Sequence, residues 1–454
     1  MMLPINVKKT TIVKPAEKTP RQVIPLTNVD LVTKPEHNPC YYIFKNTGAH
    51  QNFFDAEVLK DALRKVLVPF YPMAGRFRSD NNGRPEIDCN EEGVLFIEAE
   101  TTNVLDDLGD FAPLEKRTKK LVPTVDLSGG ISSFPFLVVQ VTNFKCGGVS
   151  LGFGIHHFVV DGYSAFQFMD TWADFARGRG LAIPPYFDRT LLRSGNLPQS
   201  VPNRPEYQLQ APDKNATPQN TKFHESGDKT ESVKVSILRV TKEQLHMLKE
   251  KAKELYEDGN AFNYSTFEVL SAHIWKCACI ARATPDKEET KLSYPVSGRF
   301  SRLQPPLPDG YFGNAIFRGL STAVVGHLKS KPLSYAANKS HETLVRMDND
   351  YIRSTIDYVE QQSQILTARY GPHIHKSPNL AIISWVKFPT HDIDFGWGRT
   401  LHMVPGDLRF EGQAYICRNA ENDGSLRIAI ALQSSHMKVF EELFFTDCMV
   451  SQPK

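Results

Sequence analysis

The stretch Gly148-Val-Ser-Leu-Gly-Phe-Gly-Ile-His-His-Phe-Val-Val-Asp-Gly162 decides the reading of this chain. Val149, Leu151, Phe153 and Ile155 alternate with Gly148, Ser150, Gly152 and Gly154, the period of a strand with one apolar face. If the strand continues, His157 falls on that same face. Partial burial disfavours the imidazolium, and a neutral imidazole can accept a proton at pH 7. Asp161 follows four residues later, and Gly162 permits a sharp turn into the next helix. A lone histidine of this kind reads as a satisfied core residue. The full H-x-x-x-D-G pattern between strand and helix is more specific. Gly148-Val-Ser150-Leu-Gly152 also matches the G-x-S-x-G nucleophile elbow, but that motif needs a strained strand-to-helix turn at the serine. Here the alternation runs on through Ile155, so a serine hydrolase is set aside.

Outward from this segment, both halves mix helices and strands. Residues 3–13 and 40–44 read as strands, and residues 55–67 as a helix with Leu59, Leu63, Val66 and Leu67 on one stripe. Residues 86–99 and 135–161 are mostly strand-like, and 164–177 are helical. The stretch 195–231 is rich in Pro, Asn, Gln and charge, with too few aliphatics to fold alone. It reads as a linker between domains at 1–194 and 232–454. A strand at 233–240 follows, and Thr241–Gln244 and Ser265–Glu268 are capping boxes that open two helices. The helix after Ser265 is apolar nearly all round and is expected to be buried. Strand-like runs recur at 315–326, 379–388, 412–417 and 426–433.

Composition narrows the class. The chain has 454 residues, 41% hydrophobic and 23% charged, which excludes fibrous and wholly disordered proteins. A net charge of +2 gives no basis for a nucleic-acid or membrane-surface partner. The seven cysteines (Cys40, Cys89, Cys146, Cys277, Cys279, Cys417, Cys448) are scattered, with no recurring C-x₂-C pair, which fits free thiols in a reducing compartment. No apolar h-region opens the chain and no run of about 18 apolar residues occurs, so the expectation is a cytosolic protein that does not span a membrane. His373 and His375 lack a nearby carboxylate, so no metal site is expected.

His157-Phe-Val-Val-Asp161-Gly162 and Asp394-Phe-Gly-Trp-Gly398, on either side of the linker, resemble the HxxxD and DFGWG signatures of the plant BAHD acyltransferases. NFFDAEVLKDALRKVLVPFYPMAGRF (52–77), FKCGGVSLG (144–152), GYFGN (310–314) and RMDNDYIRS (346–354) are similar to the hydroxycinnamoyl-CoA shikimate/quinate transferase branch. The resemblance covers essentially the whole chain. It implies an α/β (mixed α+β) fold of two chloramphenicol-acetyltransferase-like domains, joined by a long crossover, with a tunnel between them. It also implies an acyl-CoA donor, a small-molecule acceptor, no further cofactor and a monomer. His157 would act as general base. CoA thiolate is a good leaving group, so no covalent enzyme intermediate is needed.

The resemblance implies that Asp161 pairs with an arginine, best matched by Arg299; the alternative is that Asp161 orients the imidazole as a triad member. Asp394 is a candidate second acid or base, or else a turn former together with Phe395, Gly396, Trp397 and Gly398. Trp385 matches a tryptophan beside the acceptor; its indole N–H could stabilise an oxyanion, or the ring could simply pack.

Around the acceptor the chain departs from the shikimate branch. Tyr370 stands where the branch has a carboxylate-clamping arginine, with Arg369 adjacent, and a phenol cannot replace a bidentate clamp. Ile383 stands where it has a threonine. Asn38 and Cys40 replace a threonine and a serine, while Tyr42 is kept. His156 precedes the catalytic histidine and Phe158 follows it. These departures favour another hydroxyl or amine acceptor over shikimate or quinate. Two further readings are a peptide-synthetase condensation domain, whose HHxxxDG pattern His156–Gly162 also fits, and a non-catalytic binding relative.

Overall fold

The computed structural model describes residues 3–48, 52–109, 118–195, 202–207, 232–253, 262–362, 374, 376–406, 408 and 410–446. Its frame is two six-stranded mixed sheets. The N-terminal sheet runs in the order Asn6–Val13, Val94–Thr101, Leu137–Phe144, Val149–His156, His37–Phe44, His402–Pro405. Only its second and third strands are parallel. The C-terminal sheet runs Ile316–Val324, Glu289–Ser297, Leu380–Ser384, Gln413–Arg418, Leu426–Gln433, Val233–Val240, with two parallel pairings at Leu380–Ser384.

The strand Val149–His156 is buried along its whole length, on both faces. The alternation read from the sequence suggested one apolar face and one open one. The other face is instead covered by the segment around Leu121. A Cβ at Gly152 would lie 1.9 Å from the Leu121 carbonyl oxygen, so glycine here is a condition of close backbone approach. The strand also ends at His156, one residue before the continuation the pattern suggested. His157 heads a turn, because its N–H donates to Glu36 O (3.0 Å) and the Val159 N–H closes back on His156 O (3.0 Å).

Asp161 then caps the helix Gly162–Ala176, its Oδ1 accepting from Ser164 N at 3.1 Å. The capping boxes at Thr241 and Ser265 open the helices Lys242–Ala252 and Thr266–Ala281, and the latter is buried along most of its length.

The two halves are stitched together rather than merely linked. His402–Pro405 leaves the C-terminal half and pairs antiparallel with His37–Phe44 of the N-terminal sheet. One apolar core runs through both halves, from Val13 to Phe444. Much of 195–231 lies outside the described residues. Within it, Arg204, Glu206 and Tyr207 are buried, although the stretch has too few aliphatics to fold alone. Arg204 donates to Thr355 Oγ1 and Ser354 Oγ, both at 3.0 Å, and stacks 4.1 Å from the Tyr351 ring. The paired polar groups of this short piece dock it where aliphatic content alone would not. No described helix is long and apolar enough to cross a membrane.

Candidate active site

His157 lies where the halves meet. Its backbone N–H is held by Glu36 of the N-terminal half, and its carbonyl accepts from Asn314 Nδ2 of the C-terminal half at 2.9 Å. The residue keeps partial exposure, while its Nδ1 is buried on the inner side of the ring. Burial holds the imidazole below its ordinary pKa, against the opposing effects of a hydrogen bond to its own backbone carbonyl and then of the Asp161 charge. A neutral ring at pH 7 is the form able to take a proton.

Asp161 does not complete a triad with it. Its Oδ2 accepts from Arg299 Nη1 at 2.5 Å and from Ala315 N at 2.9 Å, and its Oδ1 caps the helix through Ser164. The side chains of Asp161 and Arg299 are 0% and 5% exposed, so this is a desolvated ion pair between the halves. Arg299 Nη2 also donates to Ser164 Oγ and Gly313 O, both at 2.9 Å. The next residue, Gly162, faces Phe388 of the C-terminal half; an added Cβ would lie 3.0 Å from that ring.

Asp394 serves its own loop. Its Oδ1 accepts from Gly396 N (2.8 Å) and Gly398 N (2.9 Å), and both glycines have φ above +100°. Phe395 is buried, 5.0 Å from the Trp172 ring, and Trp397 lies 5.0 Å from Phe54. Trp172 is eleven residues beyond the Asp161 cap, about 16 Å along the helix axis. This geometry is that of the turn former, the other of the two roles open to Asp394. One of its carboxylate oxygens holds two backbone N–H groups, in a loop docked near the far end of the helix.

The family model described as the Transferase family matches residues 3–446. The chain belongs to this family, the BAHD acyltransferases. It is 51% identical over 442 residues to the shikimate O-hydroxycinnamoyltransferase of Nicotiana tabacum, covering 97% of this chain and 99% of that one. Rosmarinate synthase of Plectranthus scutellarioides is 43% identical, and anthranilate N-benzoyltransferase protein 1 of Dianthus caryophyllus 40%, each over 97% of this chain and 99% of the relative. Vinorine synthase shares the fold with a TM-score of 0.71 at 20% identity, over 96% of each chain. F. graminearum TRI101, solved with coenzyme A and T-2 mycotoxin, does so with a TM-score of 0.72 at 16% identity, over 92% of this chain and 96% of that one. The chain is an acyltransferase.

In this BAHD chain the acceptor candidates divide. Tyr42 is fully buried, stacked 5.6 Å from Phe153, and its Oη has no partner. Cys40 is buried beside it on the same strand, its thiol pushed up to about 12 by desolvation, while Asn38 is exposed. Trp385 is half-buried, edge-on to Phe166 (5.9 Å) and Tyr415 (4.9 Å). Ile383 is partly buried two residues before it, on the strand Leu380–Ser384. Tyr370 and Arg369 lie outside the described residues, as do His373 and His375.

Ser150 of the apparent elbow sits buried in mid-strand, away from the strand-to-helix turn that the elbow motif needs. Among the described residues no three His, Cys, Asp or Glu side chains gather as a metal site. Sequence reading missed Asn314 and the pairing of His37 with His156 in register across two strands. Their rings are 5.2 Å apart, in a nest with Phe77, Phe134 and Phe158, and desolvation lowers His37 to about 4. The signal for Asn314 was present in the GYFGN segment.

Proposed function

We propose that this enzyme moves a hydroxycinnamoyl group from its CoA thioester to a hydroxyl or amine of a small acceptor, with His157 as general base. The observation that carries the proposal is His157 itself: a histidine kept neutral by burial, fixed by backbone bonds from both halves and still partly open at their junction. Nε2 takes the acceptor proton as the acceptor attacks the thioester carbon. The tetrahedral intermediate collapses, the C–S bond breaks, and the departing CoA thiolate can recover the proton from the imidazolium. Asp161 and Arg299 shape the turn that carries His157, and the loop of Asp394 braces the far end of the same helix. Trp385, Ile383, Tyr42, Cys40, Asn38 and Tyr370 are assigned to the acceptor side. The cytosolic, monomeric form expected from the sequence goes with this proposal; light scattering checks the monomer.

The donor rests on relatives named for hydroxycinnamoyl transfer, to shikimate in tobacco and to 5-hydroxyanthranilate in Avena sativa at 44% identity. Identity of 51% to the tobacco enzyme favours a second reading, with shikimate or quinate as acceptor. Against it stand Tyr370 and Ile383, which remove a carboxylate clamp and a hydroxyl partner. Incubation with p-coumaroyl-CoA and a pool of shikimate, quinate, malate, tartrate, phenolic alcohols, tyramine, spermidine and anthranilate decides between them. Mass spectrometry names the product and a thiol reagent counts released CoA. Product mainly from shikimate or quinate establishes the second reading. No CoA release with this or a broader acyl-CoA panel overturns the enzymatic proposal.

A further inference from the structure

One face of the helix Gly162–Ala176 meets the C-terminal half and carries a carboxylate without a partner. Phe166 marks this face, its ring 5.9 Å from Trp385 and 4.9 Å from Phe388. Arg177 marks it at the far end, its Cγ 3.5 Å from where a Cβ on Gly396 would stand. Asp170 lies between them, one turn beyond Phe166 and two turns before Arg177. It is half-buried, and among the described residues it has neither a hydrogen bond nor an ion pair. The charged groups facing it are Asp174 and Arg177 on its own helix and Asp392 on the C-terminal loop. Those three are matched elsewhere. Asp174 pairs with Arg177 and with Arg179 (3.6 Å), and Asp392 has Arg399 and Arg418 each at 3.9 Å. Desolvation, then Asp174 and Asp392, push Asp170 up to about 7 against the pull of Arg177, as befits a carboxylate with no cation of its own. Polar atoms around it are unmatched as well. Tyr42 is 0% exposed and its Oη has no partner; burial, and then the Asp170 charge, hold this phenol well above its usual range. Gln167, on the same face of the helix, has its whole amide buried without a partner, and so has the hydroxyl of Thr390, two residues before Asp392.

We propose that Asp170 selects the acceptor by taking its ammonium group, so that the acceptor of this enzyme is a cationic amine and not a carboxylic acid. This inference rests on the acyl-transfer reading and on the assignment of Tyr42 and Trp385 to the acceptor side. A half-buried carboxylate with no cation of its own offers an ammonium a charge-assisted bond, and the bound ammonium in turn favours the ionised carboxylate. The same charge disfavours an acid such as shikimate or malate, which agrees with the loss of the arginine clamp at Tyr370. Asp170 stands nine residues beyond the Asp161 cap, about 14 Å along the helix axis from the turn that carries His157. The ammonium it holds is therefore not the nitrogen that attacks the thioester. The acceptor carries its second amine several bonds away, as a linear di- or polyamine does. The attacking nitrogen is neutral and gives a proton to His157 as its bond to the acyl carbon forms. The C–S bond then breaks, and the CoA thiolate recovers that proton.

Initial rates are measured with p-coumaroyl-CoA and, one at a time, spermidine, a neutral phenolic alcohol and shikimate. Wild type should use spermidine with a kcat/KM at least about tenfold above that for shikimate. Asp170→Asn keeps the shape of the side chain and removes its charge. It should raise the KM for spermidine about 10- to 100-fold, with kcat and the KM for p-coumaroyl-CoA and for the phenolic alcohol within about threefold. Asp170→Glu, which keeps the charge, should recover part of the spermidine KM. Calorimetric titration of spermidine into the protein without donor gives a reading independent of turnover, and the asparagine variant should lose affinity by a similar factor. Shikimate used in preference to spermidine, or a spermidine KM and Kd within about threefold of wild type in Asp170→Asn, overturns the inference. If the phenolic alcohol or shikimate reacts while spermidine neither binds nor reacts, only the role of Asp170 fails. If His157→Ala keeps its rate within about tenfold, the base reading fails while a loss of spermidine affinity in Asp170→Asn still supports the acceptor site. If no acceptor releases CoA, the acyl-transfer reading fails and this inference with it.

Discussion

Arg299→Ala is the perturbation whose cost can be worked most fully from the structure. It removes the counter-ion of a carboxylate that is itself 0% exposed. It also removes donors to Ser164 Oγ and Gly313 O, and a guanidinium stacked 4.9 Å from the Tyr163 ring. Breaking one side of a buried ion pair costs about 3–5 kcal/mol. Asp161 keeps two backbone N–H partners, Ser164 and Ala315, which places the cost near the lower end, about 3 kcal/mol. Unfolding entropy of about 2.1 cal/mol/K per residue converts this to a Tm drop of about 3 °C if all 454 residues melt together. If the N-terminal half melts alone, the drop is about 7 °C. Scanning calorimetry on the purified variant reads the value directly. Arg299→Lys should recover only part of it, because a single ammonium cannot fork to carboxylate, hydroxyl and carbonyl at once. Asp161→Asn combined with Arg299→Leu should lose less than the sum of the singles, since no lone buried charge remains. A Tm shift under about 1 °C for Arg299→Ala, with activity abolished, would refute the reasoning and return Asp161 to a catalytic role.

Two further outcomes follow from other carboxylates. Asp394→Ala loses both bonds that close the Gly396–Gly398 loop and should lower the melting temperature, whereas Asp394→Asn keeps the accepting oxygen and should restore it. Neither should reduce kcat/KM by more than about tenfold; a loss of 10² or more in the asparagine variant would mark Asp394 as a proton donor after all. Asp170, on the helix Gly162–Ala176, is pushed up to about 7 by desolvation, then by Asp174 and Asp392, against the pull of Arg177. The folded state therefore retains a proton that the unfolded chain releases, and stability falls as pH rises from about 4 to about 7. Asp170→Asn should be more stable than wild type above pH 7, by up to about 4 kcal/mol, with the gain vanishing towards pH 4. Equal pH dependence of the two melting curves would contradict the assignment.

Local pattern and spacing made much of the fold legible. The helix at Ala56–Val66 and both capping boxes lie where apolar periodicity and S/T-x-x-E/Q spacing placed them. The site was legible through His157 and Asp161 because strand alternation, a five-residue motif and a helix cap coincide there. Distance along the chain hid the rest. Asn314 meets His157 across 157 positions and Asp30 across 284, and no local pattern encodes either contact. His402–Pro405 is short and crosses to the other sheet, so its pairing is a property of the assembled halves. The off-by-one end of the strand Val149–His156 has a similar cause: the Glu36 carbonyl, not the alternation, takes the His157 N–H. Arg204–Tyr207 shows the opposite limit, since a segment poor in aliphatics is buried by an ion-and-ring contact that composition does not report.

The most direct test of the central claim compares wild type with His157→Ala on p-coumaroyl-CoA and the acceptor pool, scoring CoA release and product mass together. The account predicts a product whose mass equals acceptor plus hydroxycinnamoyl less water, matched by equimolar CoA. In the variant both should fall by 10² or more while the melting temperature stays near wild type. A folded His157→Ala protein that still forms the product at a comparable rate would contradict the account.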